Sequence, residues 1–420
     1  MSEREVQPEV NIGVVGHVDH GKTTLVQALT GVWTARHSEE LKRGMTIKLG
    51  YADGDIYKCT NCPEPDAYSP EPKCPRCPKD SEPVLQRRVS YVDAPGHEIL
   101  MATMLSGSSL MDGALLVIAA NEPCPQPQTR EHFMALDIVG VRKLVVVQNK
   151  IDVVSKDQAM KNYQQIKKFL EGTWAEDAVI IPVSALHKAN IDALLEAIQE
   201  EIPTPPRDLD SPPLMWIARS FDVNKPGTPP EKLVGGVVGG SLIRGILRVG
   251  DKIEIRPGYA VRSGTKVEYV PLESEVVSLR FGKIEVEEAK PGGLVAVGTR
   301  LDPSVTKADA LVGSVLGVPG SLPPVYNEIT MEYHLLERVV GFRGEMKMTP
   351  LRKGEVLMLT VGTNITIGVI TDLTKDEVTV KLQRPVAAWP GARAAFNRRI
   401  QGRWRLAGWG IIKGGNELYK

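Results

Sequence analysis

Apolar residues in the N-terminal half of the chain follow two alternating periods, one typical of buried strands and the other typical of amphipathic helices. The apolar runs of strand length are VNIGVV (10–15), RVSYVD (88–93), GALLVIAA (113–120), KLVVVQ (143–148) and AVIIPV (178–183). The stretches with helical periodicity are KTTLVQALTG (22–31), QTREHFMALDIVG (128–140), KDQAMKNYQQIKKFLEG (156–172) and NIDALLEAIQEEI (190–202). This alternation predicts an α/β domain, with helices on both faces of a mostly parallel sheet.

The second half of the chain has a different pattern. Short β-branched runs are separated by many glycines, and helical periodicity is almost absent, as in GGVVGGSLIRGILRVGDKIEIRPG. Such segments are typical of β-barrels. Proline-rich breaks at 202–213 and 317–325 separate the segments. We therefore predict an α/β domain at residues 1–205, a β-barrel domain at 206–322 and a second β-barrel domain at 323–420.

The composition argues against a membrane protein. The chain has 51 basic and 51 acidic side chains, so no net charge attracts nucleic acid and any RNA surface must be local. No apolar run approaches the length of a membrane span, and the polar N-terminus MSEREVQPEV does not resemble a signal peptide. We therefore expect a cytoplasmic protein that does not bind a membrane.

The first predicted strand is followed by GHVDHGKT (16–23), which fits the phosphate-binding pattern GxxxxGK[ST]. Glycines let backbone N–H groups turn toward phosphate oxygens, and the helix N-terminus adds its positive dipole end. Lys22 is predicted to reach the β- and γ-phosphates, and Thr23 to bind Mg²⁺. A glycine-rich turn with a surface lysine is the alternative. The predicted phosphate-site residues are Gly16, His17, Val18, Asp19, His20, Gly21, Lys22, Thr23 and Thr24.

Three further motifs follow predicted strands in the order that a GTP site requires. Asp93 begins DAPGH, where a carboxylate that organises Mg²⁺ is expected. In NKID, Asp152 can accept hydrogen bonds from guanine N1 and N2, and the SAL segment can offer a backbone N–H to guanine O6. Because open α/β sheets bind ligands at the carboxyl ends of their strands, these motifs together predict GTP and GDP binding. Their residues are Asp93, Gly96, Asn149, Lys150, Ile151, Asp152, Ser184, Ala185 and Leu186.

These motifs, together with RGMTI (43–47), resemble those of translational GTPases, the family of elongation factor Tu. The resemblance covers the whole chain and implies a GTPase domain followed by two β-barrels. It implies that Thr46 binds Mg²⁺ and senses the γ-phosphate, and that His97 positions the attacking water. It also implies that Val18 and Met45 form an apolar gate between that histidine and the γ-phosphate.

A polar, proline-rich insert at residues 57–80 carries four of the five cysteines, in two CxxC pairs. Each pair supplies two thiolates on one tight turn, and two pairs complete a closed tetrahedral site that favours zinc. The insert has too few apolar residues for a core of its own and lies far along the chain from any predicted core strand. A loop with free, redox-labile thiols is the alternative. The predicted zinc ligands are Cys59, Cys62, Cys74 and Cys77.

The position of this insert between RGMTI and DAPGH resembles the gamma subunits of archaeal and eukaryotic translation initiation factor 2, in which it is a zinc knuckle. The segments SALHKANIDALLEAI and RWRLAGWG also match that family, and the short N-terminus favours its archaeal members. The resemblance implies a GTP-hydrolysing core subunit that binds alpha and beta subunits. It also implies delivery of methionylated initiator tRNA to the small ribosomal subunit in the GTP form.

Several alternatives stay open at this stage. Asp19 and the carbonyl of Gly44 could hold a second cation, or Asp19 could cap its own loop. The basic segment 392–415 could face RNA or be a solvated barrel strand. A general or selenocysteine-specific elongation factor would share the domains but lack the cysteine insert. A GTPase subunit of a metabolic enzyme such as ATP sulfurylase is a further alternative.

Overall fold

A computed structural model describes residues 7–34, 50–94, 101–225, 227–264, 266–282, 284–340 and 346–419. Its described residues form two compact units. One comprises Pro8–Pro205 with Arg338–Lys347, and the other runs from Pro206 to Glu337 and resumes at Met348.

The first unit is built on a seven-stranded sheet. Its strands are β1 (Val10–Gly16), β2 (Gly50–Cys59), β3 (Tyr68–Ser69), β4 (Pro83–Asp93), β5 (Gly113–Ala119), β6 (Leu144–Asn149) and β7 (Ile180–Pro182). The spatial order is β3-β2-β4-β1-β5-β6-β7. From β4 to β7 all neighbours are parallel, whereas β2 and β3 pair antiparallel. The predicted α/β class is therefore confirmed.

Helices cover this sheet. They are α1 (Lys22–Thr30), α2 (Met101–Ser108), α3 (Pro127–Val139), α4 (Lys156–Leu170) and α5 (Ile191–Glu201). Left-handed glycines end α1 and α3, and Ser155 caps α4 by accepting a hydrogen bond from Gln158 N. Leu25 of α1 and Ile198 of α5 pack in one core against the sheet. Among the described residues, no helix combines the length and apolarity needed to cross a bilayer.

The cysteine insert is attached to the sheet more directly than the sequence predicts. Strands β2 and β4 form a long antiparallel hairpin, and the insert is the tip of that hairpin. Cys59 is the last residue of β2 and lies opposite Pro83. The expectation that the insert is remote from any core strand is therefore wrong. Strand β2, GYADGDIYKC, has no continuous apolar run because half-buried residues alternate with buried ones, and for that reason the sequence pattern did not reveal it.

The second unit contains two closed barrels. The first is formed by β8 (Leu214–Phe221), β9 (Val237–Arg244), β11 (Lys252–Ser263), β12 (Lys266–Phe281), β15 (Val295–Thr299) and β16 (Val315–Gly317), with β13 (Ile284–Val286) paired to β12. A separate two-stranded sheet of β10 (Leu247–Arg248) and β14 (Glu288–Ala289) and the short helix α6 (Pro303–Thr306) accompany it. Pairing of β11 with β12 closes it. The second barrel consists of β17 (Val325–Leu335), β18 (Val356–Val361), β19 (Asn364–Leu373), β20 (Glu377–Ala387), β21 (Arg393–Ile400) and β22 (Arg403–Glu417).

The basic C-terminal segment is not a uniformly solvated strand pair. Arg398 and Arg405 are buried, and Arg398 donates from Nη2 to Glu355 at 3.0 Å. Lys413 lies 2.8 Å from a carboxylate oxygen of Glu332, and Arg393 stacks over Trp409. Two of the arginines that the sequence offered to RNA are therefore buried.

Candidate nucleotide-binding site

The loop from β1 to α1 adopts a conformation that only glycine allows at two positions. Gly16 has a φ of 139°, and a Cβ added there would lie 2.3 Å from the Val117 carbonyl oxygen. Gly21 has a φ of 89°, and its added Cβ would lie 2.4 Å from Asn149 Nδ2. Helix α1 begins at the next residue, so the unpaired N–H groups of its first turn border this loop. This is the geometry of an anion site at a helix N-terminus.

Lys22 lies inside the loop rather than on the surface. Its side chain is only 7% exposed, and Nζ donates to the His17 carbonyl oxygen at 2.6 Å. Burial lowers the pKa of Lys22 to about 8, although the carboxylates of Asp93 and Asp19 favour the charged form. The alternative of a glycine turn with a surface lysine does not describe this arrangement.

A carboxylate and two hydroxyls meet beside the loop. Thr23 Oγ1 and Thr34 Oγ1 both donate to Asp93 Oδ2, at 2.8 Å and 2.6 Å. Asp93 is fully buried at the end of β4. Hard oxygen ligands of this kind fit Mg²⁺. Sequence reasoning missed Thr34, because a lone threonine after a helix carries no recognisable pattern.

Asn149 links the phosphate loop to the SAL segment. Its Nδ2 donates to the His20 carbonyl oxygen at 2.9 Å, and its Oδ1 accepts from the Ala185 N–H at 3.0 Å. Asn149 is buried at the end of β6. One side chain therefore fixes the distance between the predicted phosphate and base subsites.

Asp152 lies next to the SAL segment with its carboxylate accessible. Lys150 takes a left-handed conformation that turns the chain, and a short 3₁₀ helix begins at the half-buried Ile151. A hydrogen bond from the Ser184 side chain lowers the pKa of Asp152, so the carboxylate is ionised at neutral pH. His187 Nε2 lies 3.7 Å from the same carboxylate. An ionised acceptor is what guanine N1–H and N2–H require.

The SAL segment is part of a closed turn. Two backbone hydrogen bonds, of 3.2 Å and 3.0 Å, join Ser184 and Ala189. Ser184 and Ala185 are buried, whereas the Leu186 side chain is 72% exposed. The turn therefore presents a fixed backbone beside Asp152.

Two side chains of α3 bind the backbone of the phosphate loop. His132 Nδ1 accepts from the Gly16 N–H at 2.9 Å, and Gln128 Oε1 accepts from the Val18 N–H at 3.4 Å. Burial, followed by the charge of Lys22, lowers the pKa of His132 to about 3, so the ring is neutral and can accept. Sequence reasoning missed this pair. Helix α3 carries several other polar residues, so a polar pair at i and i+4 gave no distinct signal.

The loop histidines are neutral as well. Burial is the main cause that lowers the pKa of His17 and of His20 to about 4, and His20 Nδ1 lies 3.2 Å from the Val117 carbonyl oxygen. Val18 and Thr24 are half-buried, and Asp19 is exposed with a φ of 61°. Five predicted residues lie outside the described part of the chain. They are Gly44, Met45, Thr46, Gly96 and His97.

The cysteines of the insert come together, but in a different bonding state from the predicted one. Disulfides join Cys59 to Cys74 and Cys62 to Cys77, so each pair of the insert is bonded to the other pair. The sulfurs of Cys59, Cys74 and Cys77 lie within 4.8 Å of one another. The structure thus differs from the predicted four thiolates, because the two CxxC turns converge closely enough for S–S bonds. Convergence of four sulfurs is also what a tetrahedral metal site needs. Cys124 lies apart from this cluster, and burial raises the pKa of its thiol to about 12.

Known proteins resemble this chain along its whole length. Residues 7–204 match the elongation factor Tu GTP binding domain, and residues 327–412 match the C-terminal domain of initiation factor eIF2 gamma. Translation initiation factor 2 subunit gamma from Aeropyrum pernix is 67% identical over 408 residues, covering 97% of this chain and 98% of that protein. The protein of the same name from Pyrococcus abyssi is 61% identical over 407 residues, covering 97% of this chain and 98% of that protein.

Solved structures of elongation factors share the fold at low sequence identity. The bacterial selenocysteine-specific elongation factor EF-Sec aligns with a TM-score of 0.73 and 23% identity. The alignment covers 97% of this chain, which spans 58% of that chain. Translation elongation factor SelB from Methanococcus maripaludis, in complex with a GTP analogue, aligns with a TM-score of 0.70 and 22% identity, covering 97% of this chain and 80% of that chain.

Proposed function

The chain belongs to the gamma-subunit family of translation initiation factor 2 and is a translational GTPase, and from this we propose that it is the nucleotide-controlled core of that factor. In its GTP form it binds methionylated initiator tRNA and brings it to the small ribosomal subunit, and after hydrolysis it releases the tRNA. The observation that supports nucleotide binding is the Asn149 side chain. It joins the phosphate loop to the Ser184–Ala189 turn, which we call the base-binding turn.

The phosphate subsite is proposed to act through charge and positioning. The first-turn N–H groups of α1 bind phosphate oxygens, and the Lys22 ammonium stabilises charge on the β- and γ-phosphates. Water attacks the γ-phosphorus, the bond to the β–γ bridging oxygen breaks, and GDP and phosphate leave. His97 orients this water, with Val18 and Met45 as the apolar gate. Mg²⁺, when bound, offsets the phosphate charge; Thr23 and Thr46 would hold it, with Asp93 alongside.

The base subsite is proposed to select guanine with a side-chain carboxylate and a backbone N–H. Asp152 accepts from N1–H and N2–H, donors that adenine does not present together. The Ala185 N–H already donates to Asn149, so the Leu186 N–H is the donor of the SAL segment that we assign to guanine O6. Lys150 and Ile151 shape the floor of this subsite. Adenine would meet an amine where O6 is expected and would leave the Asp152 carboxylate unpaired.

The family supports a proposal about partner chains. Because the relatives are named as a gamma subunit, we propose alpha and beta subunits as partner chains in the cytoplasm. We propose that the chain has domains at residues 1–205, 206–322 and 323–420. We further propose that Cys59, Cys62, Cys74 and Cys77, when reduced, hold a structural Zn²⁺ ion. We still predict that Asp19 and the Gly44 carbonyl hold a second cation.

Neither elongation factors nor metabolic GTPases are favoured as alternatives. The elongation factor structures, at 22% and 23% identity, share the fold alone, whereas gamma subunits match over almost their whole length.

Measurements of GTP hydrolysis test the proposed roles of Lys22 and His97. Lys22→Ala should lose GTP binding and turnover together, whereas His97→Ala should keep binding and lose about 100-fold in ribosome-stimulated phosphate release. A His97→Ala variant with the parent's stimulated rate, measured by quench flow, would remove His97 from the mechanism.

A further inference from the structure

The cysteine insert contacts both the base-binding turn and the helix α5 that follows it. Arg76 lies between Cys74 and Cys77 in the sequence CPRC, and its Nη1 donates to Asp192 Oδ2 at 2.6 Å. The same nitrogen donates to Asp66 Oδ1, within the insert, at 3.2 Å. Arg76 is held between two cysteines of the sulfur cluster, and its guanidinium thus connects the insert to the first turn of α5.

A second ion pair lies beside the first. Lys188, in the base-binding turn, places Nζ 3.8 Å from Glu71 Oε1 of the insert. A cleft of about 230 Å³ lies between the two segments, lined by Tyr68 and Pro70 on one side and Ile191 on the other. Tyr68 also packs against the apolar core that contains Ile191, so these charged contacts add to an apolar link between the two segments.

The turn itself is a small, fixed unit. The backbone hydrogen bonds between Ser184 and Ala189 close it, and Lys188 and Asn190 both take left-handed conformations, with φ of 53° and 59°. On its inner side the Ala185 N–H binds Asn149. A displacement imposed on its outer side would therefore move the groups that face the nucleotide base.

We propose that Arg76 is a positioning residue for guanine recognition, through which the cysteine insert braces the Ser184–Ala189 turn by way of Asp192. This proposal rests on the proposed guanine-nucleotide site and assigns a role to the insert within it. The sulfur cluster limits the movement of Arg76, Arg76 holds the start of α5, and the turn that precedes α5 stays in place against the base. The bound nucleotide should therefore leave more slowly when the insert is intact.

The expected effect is modest and measurable. Arg76 is 57% exposed and Asp192 13% exposed, so the ion pair lies near the surface and is screened by salt. Arg76→Ala should raise the dissociation rate of a fluorescent GDP analogue by about 2- to 5-fold at low salt, and by less at high salt. Lys79→Ala, which removes an exposed cation of the same insert, is the matched control and should leave the rate unchanged.

A double-mutant cycle with Asp192→Asn isolates the pair. If Arg76 acts through Asp192, the double variant should dissociate no faster than either single variant. Amide hydrogen exchange of the full chain should quicken at residues 184–192 in Arg76→Ala but stay unchanged at residues 16–24. That local difference separates positioning from a general loss of stability.

The outcomes distinguish this inference from the proposed function. If the parent chain does not bind GDP, the proposed nucleotide site itself is wrong. If the parent binds GDP and Arg76→Ala dissociates at the rate of Lys79→Ala, the brace is wrong while the site stands. Multiplicative effects of Arg76→Ala and Asp192→Asn, or quicker exchange at residues 16–24 as well, would also overturn it.

Discussion

Thr23 Oγ1 donates a 2.8 Å hydrogen bond to Asp93 Oδ2, although the two residues are 70 positions apart in the chain. The bond joins the first turn of α1 to the end of β4, and so connects the phosphate loop to the strand that precedes Gly96 and His97. Thr34 donates to the same oxygen of the buried carboxylate. Three side-chain oxygens of the type that Mg²⁺ prefers therefore meet at the end of the sheet, next to the loop.

Replacing this carboxylate should weaken the use of magnesium. Asp93→Asn keeps the shape of the side chain but removes the charge, so the Mg²⁺ concentration for half-maximal GTP hydrolysis should rise about 10- to 100-fold. A magnesium titration of phosphate release measures it. Thr34→Val, which removes the other hydroxyl on this oxygen, is the control and should have a smaller effect. An unaltered magnesium requirement in Asp93→Asn would exclude Asp93 from the metal site.

Base selectivity should depend on Asp152. Asp152→Asn exchanges an acceptor for a donor opposite guanine N1, so GDP affinity should fall about 10- to 100-fold, the loss of a hydrogen bond to a charged group. Xanthosine diphosphate, which offers a carbonyl oxygen at C2, should bind the variant better than GDP does. Competition against a fluorescent nucleotide measures both affinities. If the variant binds GDP as well as the parent, the guanine assignment is wrong.

Lys22 should give the protein a distinctive dependence of stability on pH. Its pKa is lowered to about 8 in the folded protein, whereas an unfolded chain has the ordinary value near 10.4. Below pH 8 both states carry the proton, and the cost of burying the charge is fully present. Between about pH 8 and 10 only the folded state loses the proton, so this cost is relieved and the free energy of unfolding should rise with pH.

A comparison with Lys22→Met isolates this contribution from other titrating groups. Without nucleotide, denaturant unfolding from pH 7.5 to 10 should show a more positive slope in the parent than in Lys22→Met. The total difference should be on the order of 3 kcal/mol at most. Equal slopes in the two proteins would mean that Lys22 titrates normally and is not buried as described.

The four clustered cysteines should bind zinc when reduced. Protein purified under reducing conditions should contain close to one equivalent of zinc, and less than about a tenth of an equivalent would contradict the site, given how tightly such sites hold metal. Replacing Cys59 and Cys74 with serine should quicken amide exchange in residues 57–80. GDP should still bind, within the few-fold change expected from Arg76. Collapse of GDP binding on chelation would make the insert part of the nucleotide site itself.

The fold class and the family could be predicted from the sequence because their signals are local. The phosphate loop and NKID each lie within a few residues at a strand end, and the buried parallel strands are continuous apolar runs. Strand β2 escaped prediction because its buried residues alternate with half-buried, mostly polar ones.

Contacts between distant segments could not be predicted in the same way. Arg76 and Asp192 are 116 positions apart, as are Gly16 and His132. Neither pair leaves a periodic or compositional trace, because each depends on how the chain returns to the sheet. The bonding state of the cysteines also lies beyond the sequence, since two CxxC pairs fit both a metal site and two disulfides.

Nucleotide-dependent binding of tRNA tests the central claim most directly. The protein would be loaded with a non-hydrolysable GTP analogue or with GDP, mixed with total charged tRNA, and recovered so that the retained RNA can be sequenced. We predict that methionylated initiator tRNA dominates the retained RNA, and that it binds the GTP-analogue form at least about fivefold more tightly than the GDP form. Equal retention with both nucleotides, or retention of elongator tRNAs in proportion to their abundance, would contradict the account.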